Sequence, residues 1–185
     1  MKTTLLLCGI LTLGFSHAQN KLEPERAKAI VDTEIASMIA QVSADSIQHY
    51  ISKMVNFGTR HSLSDTTQAS QGIGGGRRWV AGKFRQFARA NKANMHVTLD
   101  AFSITPNPRY PRVPYPMTMK NVLATLHGAD PNDDRIILVS GHLDSRNSDV
   151  MDSVGRAPGA NDDASGVAVV LELARLISAK QYPCT

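Results

Sequence analysis

Cysteine is almost missing from this chain of 185 residues, which has two, Cys8 and Cys184. Cys8 lies in an N-terminal leader that processing is expected to remove, leaving Cys184 alone. That excludes an intrachain disulfide framework, the usual staple of small domains in oxidising compartments. Stability therefore has to come from packing, with or without help from a metal. A strong charge excess is missing too. Of 20 basic and 16 acidic side chains, only Lys2 falls in the leader Met1–Ala18, so the mature chain keeps 19 against 16. Charges this balanced and scattered form an ordinary solvated surface, and nucleic acid is not an expected partner. No apolar run approaches the roughly 20 residues that cross a bilayer. Internal repeats and long low-complexity tracts are absent. The run Gly72-Ile73-Gly74-Gly75-Gly76 lacks a preceding strand, dinucleotide spacing and a Gly-Lys-Ser/Thr ending, so it reads as a flexible helix-entry loop, not a phosphate loop.

What is present begins with the leader. Lys2 supplies a positive start, Leu5 through Phe15 a short apolar core, and Ser16-His17-Ala18 the small residues that a signal peptidase reads. Cleavage is expected before Gln19, giving a secreted or periplasmic protein with no stable membrane anchor. Cys8 sits inside the apolar core, not after a small residue at its end, which argues against lipoprotein processing.

The remaining 167 residues suit one domain with a real core. Ala27, Ile30, Val31, Ile35, Met38, Ile39 and Val42 recur at helical spacing after Pro24. Ser43 is placed to cap a second helix whose face carries Ile47, Tyr50, Ile51 and Met54. Asn56–Gly76 reads as a loop, and a helix through Trp79, Val80, Phe84, Phe87 and Ala88 follows, its aromatics core-forming. His96–Ile104 alternates as a strand does. Thr105–Pro116 holds five prolines and is a surface connection. Asn121–Leu126 and Arg135–Ser140 are predicted as neighbouring antiparallel strands joined by a turn over Gly128–Asp134. Ile136-Ile137-Leu138-Val139 is apolar on both faces, as a strand buried between helix layers is. Ser165–Lys180 is predicted as a helix apolar nearly all round, with Glu172 and Arg175 marking its wet stripe. The order of elements is α/β. Residues 19–116 form the helical and first-strand part, and residues 117–185 the core carrying the chemistry.

That chemistry is concentrated in Gly141-His142-Leu143-Asp144-Ser145 and in Pro158-Gly159-Ala160-Asn161-Asp162-Asp163-Ala164-Ser165-Gly166. His142 follows the C-terminal end of the predicted buried strand, where open α/β sheets place ligands. Asp144, two residues on, faces the same side in extended backbone, where its carboxylate can accept the second ring N–H of a metal-bound histidine. Of Asp162 and Asp163, at the entry to the last helix, one can hold a metal while the other caps free N–H groups. Taken singly, His-x-Asp is surface hydrogen bonding and Asp-Asp a helix cap; their order behind a strand and before a helix favours metal. His49, His61, His96 and His127 lie on separate elements without partner spacing, His61 alone standing out for its place in a loop.

These two ordered motifs resemble peptidase family M28, which includes bacterial leucyl aminopeptidase, aminopeptidase Y and glutamate carboxypeptidases. The resemblance covers residues 121–182, the upstream helices being similar to the front end of secreted members. It implies a three-layer zinc-exopeptidase-like domain with a mixed sheet, incomplete at the C-terminus. It further implies that His142 ligates one zinc of a two-zinc site, that Asp162 bridges both ions and that Asp144 is the catalytic-site carboxylate orienting His142. Asp163 matches a motif position with no such role. The implied reaction is hydrolysis of a peptide or protein substrate by a metal-activated water with a glutamate as general base. In the family a strand ending in Glu-Glu and further ligands follow, and the sequence given stops where that strand would begin. The 185 residues are thus expected to be a fragment, inactive alone. A glutaminyl-cyclase-like single-zinc enzyme and a non-catalytic secreted binding domain on the same scaffold are the competing readings.

Overall fold

The computed structural model describes residues 33–185. The signal segment Met1–Ala18, its cleavage site and the first turns of the helix expected from Ala27 lie outside the described residues. Of that helix, α1 spans Thr33–Ala40 and buries no residue, with Ile35 and Ile39 on its open side.

Helix α2, Ala44–Val55, begins where the capping signal placed it: the Ser43 hydroxyl accepts the Ser46 N–H at 3.1 Å. Tyr50 and Met54, four residues apart and so on one face, go into the core. Helix α3, Gly72–Asn91, sends Val80, Ala81, Phe84 and Phe87 into the same core. Strands β1, Met95–Ile104, and β2, Met117–Leu126, pair antiparallel from Met95 opposite Leu126 to Ile104 opposite Met117. The proline-rich segment between them is the surface connection expected of it. Helix α4, Ser165–Ile177, closes the core with Val167, Ala168 and Leu171. Among the described residues the molecule is therefore mixed α/β, with four helices and a two-stranded antiparallel sheet.

Three expectations are corrected. The partner of β2 is β1, not residues 135–140, although the predicted turn is present, closed by the Asp133 N–H on the Asp130 carbonyl at 3.2 Å. Residues 135–140 form no strand, and Ile136, Ile137 and Leu138 are 77%, 70% and 81% exposed. Burying both faces of a strand requires a ladder at its edges and layers over its faces. Here Ile137 donates to the Thr185 carbonyl and Thr185 donates to Arg135, with no ladder beyond those two bonds among the described residues. The glycine run is no loose loop either. It is the first turn of α3, buried throughout and pressed on residues 65–66. A Cβ at Gly74 would lie 2.3 Å from the Thr66 carbonyl oxygen, so only glycine lets helix and loop backbones approach this closely.

The third correction concerns Glu172 and Arg175, whose stripe is a docking face. Glu172 is buried; its Oε1 accepts the Ser43 N–H at 2.7 Å, and Arg175 clamps the carboxylate through Nε and Nη2 at 2.9 and 2.6 Å. Arg175 also donates to the Gln41 carbonyl at 2.7 Å. The pair therefore ties α4 to the start of α2. The Arg175 hydrogen bonds, opposed by burial and aided by the Ser43 N–H, hold the Glu172 carboxyl below the usual carboxylate range. A folded pKa below the unfolded one stabilises the fold above the unfolded value, and that stabilisation is lost as pH falls through the folded value. Glu172→Gln is thus expected to lower stability by about 2 kcal/mol at neutral pH. It also flattens the acid limb, so melting curves from neutral pH down to about pH 3 converge for the two proteins. An unchanged gap across that range would show that the ion pair contributes nothing.

Candidate metal centre

The segment carrying His142 is seated by backbone contact. A Cβ on Gly141 would lie 2.8 Å from the Gly166 carbonyl carbon and the Val167 nitrogen, so the glycine lets this segment lie against the first turn of α4. Asp163 fastens the two together. Its Oδ2 accepts the His142 N–H at 3.0 Å and its Oδ1 accepts the Gly166 N–H at 2.9 Å. It does the capping expected of one member of the Asp-Asp pair.

Asp162, joined to it by a cis peptide bond, is directed elsewhere. Its Oδ1 stands 2.8 Å from His142 Nε2. On the other side of the ring, His142 Nδ1 lies 3.2 Å from the Asp144 carbonyl oxygen and 3.4 Å from Asp144 Oδ1. The structure thus brings His142, Asp144, Asp162 and Asp163 together, as their order in the sequence anticipates. The imidazole and the Asp162 carboxylate are both open to solvent, in a concavity of about 450 Å³ also lined by Arg146, Asn147 and Gly159.

Electrostatically the ring is held between acceptors. Partial burial works against a charged imidazole, but the Asp144 carbonyl and the carboxylates of Asp144, Asp163 and Asp162 outweigh it and raise the His142 pKa. With Nδ1–H donated to Asp144, an unprotonated Nε2 would face the Asp162 carboxylate lone pair to lone pair. One positive charge between them, a proton on Nε2 or a metal cation, resolves that conflict. One imidazole nitrogen and one carboxylate oxygen are donors suited to zinc, and a carboxylate on the other ring nitrogen orients such a ligand. The donor set is short, however. Among the described residues no three His, Cys, Asp or Glu side chains converge as a metal cage.

The loops around this pair depend on Arg60, which sequence reasoning missed. Its side chain is 0% exposed. Nε donates to the Leu143 carbonyl at 2.9 Å, Nη1 to Met54 and Pro158 at 2.9 and 2.8 Å, and Nη2 to Gly159 at 3.1 Å. Its N–H also donates to Ser145 Oγ at 3.1 Å, and that hydroxyl donates on to the Ala157 carbonyl at 2.6 Å. One guanidinium therefore joins the end of α2, the His142–Asp144 segment and the loop leading to Asp162. Burial lowers its pKa to about 10, with Asp144 and Asp163 acting in the opposite direction. The only local signal was a charged residue in Gly58-Thr59-Arg60-His61, which pointed to the wrong neighbour. His61 is buried and structural: Nδ1 accepts the Leu63 N–H at 3.0 Å, so Nε2 carries the proton given to the Val150 carbonyl at 3.1 Å. His49, His96 and His127 are exposed and apart from the site.

Comparison with known proteins converges on the same stretch. The profile described as "Peptidase family M28" matches residues 121–184. A "Probable zinc metalloprotease" of Leptosphaeria maculans is 41% identical over 152 residues, 82% of this chain and 34% of the relative. Another "Probable zinc metalloprotease", of Pyrenophora tritici-repentis, is 42% identical over 147 residues, 80% of this chain and 33% of the relative. A "Leucine aminopeptidase 1" of Grosmannia clavigera is 28% identical over 170 residues, 89% of this chain and 36% of the relative. The chain spans about a third of the length of these curated relatives.

Proposed function

We propose, because residues 121–184 match the profile of peptidase family M28, that this chain is part of a zinc-dependent metallopeptidase acting on peptide or protein substrates as an aminopeptidase. The observation that carries the reading is the opposed pair His142 Nε2 and Asp162 Oδ1, 2.8 Å apart, with Asp144 on the other ring nitrogen. The relatives named as zinc metalloproteases support the metal, and the leucine aminopeptidase supports the exopeptidase class. His142 and Asp162 are the residues that hold zinc, with two ions in the complete site. When bound, zinc acidifies a water and polarises the substrate carbonyl.

The residues of this chain prepare that site. Asp144 fixes the tautomer and direction of the His142 ring, Asp163 pins the His142 backbone to α4, and Arg60 sets the two loops at their spacing. The complete domain is a three-layer α/β fold with a mixed sheet, and the leader directs it to secretion.

Two donors are half of a four-coordinate zinc cage. The 185-residue chain is therefore expected to bind zinc weakly and to turn over no amino-acyl nitroanilide, whereas the full-length parent cleaves it and spares an N-blocked analogue. Calorimetry with zinc and a chromogenic assay on both proteins check this. Robust turnover by the 185-residue chain would overturn the assignment of its donor set, and cleavage by the parent of the blocked substrate alone would overturn the aminopeptidase class.

A further inference from the structure

Among the described residues, Arg60, Arg77 and Arg175 have donors within the folded interior or at its edge, and two of them conform to the rule that a buried charge is paired or fully hydrogen-bonded. Arg60 gives its guanidinium to four carbonyls and Arg175 to Glu172. Arg77, on α3, does not conform. It is 6% exposed, its Nε is buried without a hydrogen-bond partner, and no carboxylate among the described residues pairs with it.

Arg77 lines a groove of about 580 Å³ between the loop before α3 and the strands, together with Asp65, Arg78, Leu99, Tyr115 and Lys120. The one carboxylate there is committed elsewhere, since Asp65 accepts the Thr67 and Gln68 N–H groups and the Thr67 hydroxyl. Arg78 is committed as well, donating to the Thr66, Thr67 and Gln68 carbonyls. Nor is the start of α3 available to an anion: its Gly72, Ile73 and Gly74 N–H groups go to Phe57, Ser64 and Asp65. Three cations thus face one occupied carboxylate, and the most buried cation has donors to spare. Burial and the like charge of Arg78 both press the Arg77 pKa down, the direction expected of a cation that lacks its counter-charge.

We infer that this groove is an oxyanion site, separate from the metal centre, in which Arg77 takes a carboxylate through its planar fork and Lys120 closes over it from the rim. A guanidinium suits a carboxylate because its parallel N–H groups match the two oxygens. Leu99 and Tyr115 give the groove apolar walls, so a carboxylate on an apolar stem fits better than a bare mineral anion. The carboxylate has two possible sources with the same chemistry, an Asp or Glu side chain of the longer polypeptide or a soluble carboxylic acid.

Thermal melts of the 185-residue chain at fixed ionic strength test this, with succinate as probe and inorganic phosphate for comparison. Succinate at a hundred times its Kd is expected to raise the Tm by about 5–10 °C, and phosphate by less. Arg77→Met removes the uncompensated charge, so it melts higher than the unaltered chain without succinate and no longer responds to it. Lys120→Ala, an exposed change, leaves the melt as it was and weakens succinate about fivefold. In the full-length parent the sources separate. A side chain of the polypeptide leaves the parent indifferent to succinate and makes Arg77→Met destabilising, whereas a soluble acid leaves the succinate response intact. If succinate shifts neither protein and Arg77→Met lowers the Tm of the 185-residue chain, Arg77 is a packing residue and the inference is overturned.

Discussion

Arg60→Met is expected to lower the stability of this chain by about 4 kcal/mol, because the Leu143 and Pro158 carbonyls lose their guanidinium donor and those of Met54 and Gly159 keep only backbone donors such as the Phe57 and Ala164 N–H groups. Methionine fills most of the volume, so the loss measures hydrogen bonding more than a cavity. Arg60→Lys recovers little of it, since one ammonium cannot reproduce a fork that reaches four carbonyls in three segments. Urea denaturation followed through Trp79 makes the measurement convenient. That residue is the one tryptophan of the sequence and packs edge-on to Tyr50 in the core. The midpoint is expected to fall with the slope unchanged, the mark of altered stability without altered compactness. A loss below about 1 kcal/mol would mean that water replaces the guanidinium without penalty, and the organising role given to Arg60 would be wrong.

The second large effect is on activity. On the proposed assignment of His142 as a zinc donor, His142→Ala in the full-length parent is expected to reduce kcat/KM by about a thousandfold or more, with loss of bound metal. Asp144→Asn keeps the shape but weakens the hold on the ring. It is expected to lower activity or zinc affinity by about 10- to 100-fold while most of the metal stays bound under saturating zinc. Metal content by elemental analysis alongside kinetics separates the two roles. Wild-type rates in both variants would remove His142 from the site, and equal metal loss in both would make Asp144 a ligand and not an orienting group.

What could be read from the sequence was whatever neighbouring residues decide among themselves. The Ser43 cap, the core face of α3 and the start of α4 rest on interactions within a few positions, and each stands where its pattern puts it, although α4 ends at Ile177, short of the expected Lys180. His142, Asp144, Asp162 and Asp163 were legible as a group because two short motifs carry them. Partners far along the chain could not be read. Arg60 had no local signal of burial, since its acceptors at Leu143, Pro158 and Gly159 lie 83 to 99 residues away. Glu172 and Arg175 read as a solvated stripe because nothing near them mentions Gln41 or Ser43. Residues 136–139 failed for the converse reason: an apolar run of strand composition is a strand only when another backbone lies along it.

The clasp between Glu172 and Ser43 joins residues 129 positions apart. At ordinary rates of translation, α2 leaves the ribosome on the order of 10 s before the helix that receives it. Through that interval Tyr50 and Met54 have the α3 side of their core but lack Val167, Ala168 and Leu171, and closing so long a loop is slow on the timescale of local structure. A nascent chain of this design keeps part of its apolar face uncovered until α4 emerges. Holding factors that bind exposed apolar segments therefore have a long window in which to act on it.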